Sequence, residues 1–339
     1  MPEKDSIPDK KRGEWLLPAV IGAVCALLAS CYVFFMFHSG RIHKSIEQSK
    51  AGPSTVRLGT FSTAIDYAPF LAALDKGWIQ QQLPDTKIQT TTFQTLPSIN
   101  EAFAAHQIDV VFEAEVPAIV GRSAGIDLRI VALDATLKEG VLSTASSSIS
   151  RVADLKGRRV AVLYGSAMHY GLISLLRQAG LNNRSVSIIN MAPQDASAAF
   201  ASHQLDAWAV WPPWPEQQVL AGGGRFIPNS TIEVQSVVVM DHKFVQEHAE
   251  EARGIVSAID QAKAWLGDHP DEGTSLVAKN MNLPISVVRL AWPKHAWGAI
   301  FDSEVDGDIQ AKADFLLSEH MIEHGVKIQD LISPVQDVQ

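Results

Sequence analysis

Two α/β lobes built on one plan, closing as a clamshell over a cleft behind an apolar N-terminal helix, are the fold class the sequence predicts. Three observations predict it. The pattern Ala102-Phe103-Ala104-Ala105-His106-Gln107-Ile108-Asp109 returns as Ala199-Phe200-Ala201-Ser202-His203-Gln204-Leu205-Asp206. A strand, a small polar turn, a helix and a closing glycine follow one another in both halves, over 56–77 and over 158–180. An uncharged run from Trp15 to Phe37 is long enough to span a bilayer as a helix.

At 339 residues the chain exceeds one ordinary domain. A hydrophobic content of 47% with 19% charged residues describes a globular chain. The net charge of -9 argues against nucleic acid as the main partner, because a phosphate backbone selects a basic surface. The two cysteines, Cys25 and Cys31, both fall in the apolar run. The globular part therefore offers no thiol nucleophile, disulfide framework or cysteine metal site, and no cofactor is expected.

Lys10, Lys11 and Arg12 precede the apolar run, which places residues 1–14 in the cytoplasm and the rest outside. A cleavable signal would have a shorter apolar core ending in small residues, whereas Tyr32 to Phe37 stays bulky. An uncleaved anchor over 15–37 is the expectation. Leu28-Ala29-Ser30-Cys31 is similar to a bacterial lipobox, so lipidation of Cys31 remains the open alternative. Either way the bulk is tethered to the membrane from outside, with a polar linker over 38–54.

In the globular part, Val56 to Gly59 reads as the first strand and Thr60 to Thr63 as its polar turn. A helix follows over 69–74, ended by Gly77. In the second half, Val160 to Tyr164 is a short apolar strand and Gly165-Ser166-Ala167 a small-residue turn. Leu172, Ile173, Leu175, Leu176 and Ala179 then recur at helical spacing, and Gly180 closes the helix. Such a turn aims unpaired backbone N–H groups forward, which is either an anion site needing no basic side chain or an ordinary βα turn; spacing leaves both open. Ser236 to Met240 reads as a strand returning the chain to the first lobe, followed by helices over 250–266 and 308–324. Lobe I is expected over 55–142 and 236–339, lobe II over 143–235.

Open α/β sheets bind ligands at the carboxyl ends of their strands. Four turns then line the cleft: Thr60–Thr63 with Ser62 and Thr63, Glu113-Ala114-Glu115, Gly165–His169, and Trp211-Pro212-Pro213-Trp214. Plainer readings stand beside these. Glu113 and Glu115 alternate at a strand end, so one is expected to be solvated or paired with an arginine. His169 suits a cap or surface position as well as a ligand contact. Trp208 faces the core, and His106 with His203 belong to the repeat and not to a metal pair.

Val152-Ala153-Asp154-Leu155-Lys156-Gly157, Gly165-Ser166-Ala167-Met168-His169-Tyr170, Asp206-Ala207-Trp208-Ala209-Val210-Trp211 and Ala124-Gly125-Ile126-Asp127-Leu128 carry a family resemblance. From Val56 onward the chain resembles the periplasmic substrate-binding proteins of ABC importers, in the group for aliphatic sulfonates, taurine and nitrate. The resemblance implies a type II clamshell that passes a small solute to a permease and its ATPase, with the anionic head group at Ser166, Ala167 and His169. Two departures matter. Pro212-Pro213-Trp214 stands where the family has Asp and Pro, and Glu113-Ala114-Glu115 where it has small residues with one acid. Two carboxylates oppose a plain sulfonate or nitrate by about 1 kcal/mol per pair at 4 Å in water and about 4 at intermediate dielectric. A small anionic or zwitterionic solute such as taurine is therefore expected, its amine near Glu113 and Glu115, with Trp211 and Trp214 flanking either the cation or an apolar middle. An enzyme on the same scaffold, with Glu113 and His169 as acid–base pair, is one alternative; a sensor subunit is the other.

Overall fold

The computed structural model describes residues 52–61, 64–93 and 95–335. The anchor expected over 15–37, the linker, Cys31, Ser62 and Thr63 lie outside the described residues. Among the described residues no helix is long and apolar enough to cross a membrane.

Strands β1 (Thr55–Phe61), β2 (Lys87–Phe93), β3 (Val110–Ala114) and β4 (Leu128–Glu139) open the first sheet. Strands β5 (Val141–Thr144), β6 (Arg159–Val162), β7 (Ser187–Asn190), β8 (Ala207–Ala209) and β9 (Gly224–Phe226) form the second. The chain then returns to the first sheet through β10 (Ile232–Asp241) and the short β11 (His295–Ala296). The first sheet runs β11-β4-β10-β3-β1-β2 and the second β7-β6-β8-β5-β9. In each, the strands that open a strand–turn–helix unit are parallel (β1 with β2 and β3, β6 with β7 and β8), and returning strands are antiparallel. Val110, Val111 and Phe112 are all buried, as a strand covered on both faces must be, and Phe112 stacks on Phe70 with ring centroids 4.1 Å apart.

The chain changes sheet between Glu139 and Val141. Gly140 occupies this crossing, where a Cβ would come 3.1 Å from the Ser230 hydroxyl and 3.3 Å from the Phe226 ring. Strand β5 therefore lies wholly in the second sheet, so the expected lobe boundary at 142 falls two residues late. The helix expected over 308–324 is shifted toward the amino end: it runs Ser303–Ser318, started by Asp302, whose carboxylate accepts from the Glu304 and Val305 N–H groups at 2.9 Å. The expected helix over 250–266 is observed as Ala249–Asp268.

The repeated octapeptide proves to be a corner. Helices Leu96–Ala104 and Pro193–Ala201 each end on a histidine with positive φ, His106 at 51° and His203 at 59°. The next residues bond back alike, Gln107 N–H to Ala102 C=O and Gln204 N–H to Ala199 C=O. The closing aspartates then clamp the neighbouring strand. Asp109 Oδ2 accepts from the Arg57 N–H at 2.7 Å and its Nε at 2.9 Å, and Asp206 Oδ2 from the Arg159 N–H at 2.8 Å and its Nε at 3.1 Å. The backbone carbonyls of both histidines accept from the same arginines, Arg57 and Arg159, and the His106 ring also pairs through Nδ1 with Asp241 Oδ2 at 3.0 Å. Asp109→Ala strands the Arg57 amide and guanidinium together, so a loss of about 1–3 kcal/mol is expected in urea denaturation. An unchanged midpoint would show that the clamp is ornamental.

Candidate functional site

A cavity that opens in part to solvent lies between the two sheets. From the first sheet it is lined by Asp66 and Tyr67 after β1 and by Glu113 and Ala114 at the end of β3. From the second come Ser166, Ala167 and Met168 after β6, and Trp211 after β8. Ala114 and Trp211 each follow their corner aspartate by five residues, so the two halves present equivalent positions to the same space.

Ser166 is the N-cap of helix Ala167–Gln178. Its hydroxyl accepts from the His169 N–H at 3.2 Å and donates to the Leu163 C=O at 2.6 Å, so it is committed to the helix. What this turn can offer a ligand is therefore backbone: the first-turn amides of Ala167 and Met168, which helix geometry leaves without an intrahelical acceptor. Gly171, on the same helix, fixes its depth. A Cβ there would stand 2.3 Å from Ile232 of β10.

His169 does not line the cavity. Its ring stacks on Tyr164 at 4.4 Å and 5°, its Nδ1 faces the Gly165 N–H at 3.4 Å, and burial lowers its pKa to about 4. Helical geometry explains this, because the third residue of a first turn projects away from the two that precede it. The pair suggested for an enzyme, Glu113 with His169, is thus not brought together at the cavity.

The two glutamates also part company. Strand β3 ends at Ala114 and Glu115 opens helix Glu115–Ser123, so alternation stops between them. Glu115 turns into the protein, where Oε1 meets Lys312 Nζ at 2.5 Å and Oε2 accepts from the Gln235 N–H at 3.1 Å. It is neither solvated nor held by an arginine, and it is not part of the cavity. Trp214, likewise expected there, packs on Trp208 at 6.3 Å beside the second sheet. Trp208 is buried in the core as its place in β8 requires.

Glu113 remains on the cavity wall, 1% exposed, with neither carboxyl oxygen partnered. Burial pushes its pKa up to about 8, so it is largely protonated at pH 7. Asp66, whose Oδ1 is also unpartnered, is pushed up to about 6 by burial against a backbone hydrogen bond. Asp134, wholly buried and near enough to act on Asp66, is raised well above the carboxylate range by burial and then by that neighbour. Among the described residues no Lys, Arg or His lines the cavity. Asp66 and Tyr67 escaped the sequence reading. The signal was present, since Asp66 follows the turn after β1 much as Ser166 follows β6.

Comparison with known proteins agrees with this architecture. A putative aliphatic sulfonates-binding protein of Bacillus subtilis is 27% identical over 321 residues, 92% of this chain and 93% of that one. Its counterpart in Escherichia coli is 29% identical over 244 residues, 71% of this chain and 76% of that one. The crystal structure of the periplasmic aliphatic sulphonate binding protein of Escherichia coli superposes with a TM-score of 0.72 at 27% identity, covering 83% of this chain and 92% of the other. The resemblance to periplasmic substrate-binding proteins of ABC importers therefore holds in sequence and in fold. Residues 49–281 match the family model, and the chain belongs to the NMT1-like family.

Proposed function

We propose that this protein is the membrane-tethered solute-binding component of an ABC importer, capturing a small sulfonate or zwitterion such as taurine between two lobes divided where the chain changes sheet. The observation that carries this reading is the cavity itself, walled on one side by the first turn of helix Ala167–Gln178 and on the other by Asp66 and Glu113. Sulfonate-binding relatives with the same fold support it, and the apolar run over 15–37 supports the tether.

The buried glutamate changes the electrostatics expected from sequence. With Glu113 protonated, the empty cleft does not set two carboxylates against an arriving anion. The amides of Ala167 and Met168 meet the negative end, and Trp211 covers the middle. Calorimetric titration of the full-length chain with taurine, ethanesulfonate, butanesulfonate and nitrate tests the assignment. Saturable binding of at least one sulfonate is expected; heat of dilution alone for all four removes the sulfonate class.

A further inference from the structure

We propose that helix Ala167–Gln178 acts as a see-saw across the hinge, turning where Gly171 meets Ile232, so that the Arg177–Glu319 pair at its far end opposes closure of the cleft. The proposal rests on the cleft being the ligand site. The pivot is fixed by contacts where the chain passes between the sheets. Ile232, the first residue of β10, pairs with Glu139, the last of β4, and a Cβ on Gly171 would stand 2.3 Å from the Ile232 side chain. Helix and strand thus meet with no room for a side chain between them. Lys294, just before β11 of the first sheet, meets Glu139 Oε1 at 3.3 Å and also Glu216 of helix Trp214–Leu220 beside the second. Its ammonium lies 4.0 Å from the centre of the Phe226 ring of β9. Glu216 is fully buried, and drawing the lobes apart here would strand its carboxylate without a cation. This corner therefore stays together as the lobes turn.

The helix extends to both sides of that point. Ala167 and Met168 lie about 5 Å along its axis toward the cavity, and Arg177 about 9 Å along it the other way. Arg177 donates from Nη1 to Glu319 Oε1 at 3.2 Å, and its guanidinium stands 5.6 Å from the centre of the Phe315 ring. Phe315 and Glu319 belong to helix Ser303–Ser318 and its carboxyl cap, and that helix packs on helix Glu115–Ser123 of the first lobe. The pair is made here while the cleft still opens in part to solvent. Further closure carries the amino end of the helix toward the first lobe. A rigid helix turning on Gly171 then swings Arg177 away from Glu319, whereas Tyr170, beside the pivot, keeps its edge contact with Phe315 at 5.1 Å. Arg177 is 63% exposed and Glu319 26%, so water replaces this pair at small cost. Burial thus separates the two contacts: Lys294 holds, and Arg177 yields.

The test uses the full-length chain with Cys25→Ala and Cys31→Ala, and nitroxide labels on Thr92→Cys and Gln194→Cys. Both label positions are exposed, one at the carboxyl end of β2 and one just past that of β7. Pulsed dipolar spectroscopy of the ligand-free chain reads the gap between the lobes. Arg177→Met is expected to shift the distances toward shorter values, and Glu319→Gln to do the same. Calorimetry with the four ligands of the titration above is expected to show about two- to fivefold tighter binding in each variant. The double variant should gain nothing further, because both changes remove one pair. Exchanging the charges, Arg177→Glu with Glu319→Arg, should restore the parent distances, which a folding defect would not do. Distances that lengthen or stay unchanged in both single variants overturn the see-saw, as does weaker binding. If no sulfonate binds, the sulfonate reading falls and the distances alone decide the see-saw.

Discussion

Replacing Lys312 with alanine is expected to remove about 3–5 kcal/mol of folding stability at pH 7. The ammonium is 2% exposed and joins Glu115 Oε1 at 2.5 Å, Asp308 Oδ2 at 2.7 Å and the Glu233 carbonyl at 3.1 Å. Burial works against its charge, yet Glu115 and Asp308 more than restore it and raise its pKa. Without the lysine, Glu115 is a fully buried carboxylate with no counter-ion. It can escape by taking up a proton, since burial already raises its pKa, and this caps the loss. The deficit should therefore shrink at pH 5. Urea denaturation of Lys312→Ala at both values measures it, and Lys312→Met with Glu115→Gln should recover most of it because an uncharged pair needs no partner. A single mutant as stable as the parent would mean that water reaches this site.

Stability is expected to fall as pH rises from 6.5 to 8, the opposite of what paired surface carboxylates give. Below 6.5 the buried His169 and His295, each lowered to about 4, act in the other direction and offset part of the slope. Glu113 titrates near 8 in the folded chain, against 4.5 when unperturbed. Between those values the native state holds a proton that the unfolded chain has released. The stability so gained is complete below the lower value and is lost through the higher one, at about 1.4 kcal/mol per pH unit for each such group. Glu139, raised to about 8 by burial and then by Glu216, acts over the same window, and Asp66 adds to its lower part. Glu113→Gln keeps the shape and removes the titration, so it should flatten part of the slope and be more stable than the parent at pH 8. Urea midpoints across this range read the effect directly. A parent profile that is level from 6.5 to 8 would refute the buried, unpaired glutamate.

The sequence disclosed what is local. The repeated octapeptide was visible because a helix end, a left-handed residue and an aspartate clamp occupy consecutive positions and need little from the rest of the chain. The strand–turn–helix unit ending in Gly180 was legible for the same reason, its glycine having a φ of 72°. The fate of Glu115 was not legible, because its partner Lys312 is 197 residues away and nothing in either neighbourhood announces the other. Trp214 was misplaced because a helix begins at that residue and rotates its ring onto Trp208. Glu113 could be assigned to the cavity from its strand position, but its neutrality follows from burial by elements distant in sequence. Ser166 lines the cavity, but the commitment of its hydroxyl to the helix cap follows from local geometry that its spacing alone did not reveal.

The paired corners, Arg57 with Asp109 and Arg159 with Asp206, stand at the amino ends of the strands, opposite the cavity at their carboxyl ends. Each half thus keeps its shared hardware at one pole and its individuality at the other. Five residues past the same aspartate, one half carries Ala114 and its twin carries Trp211. Divergence of cargo can proceed at that second pole without disturbing how either half is bolted together.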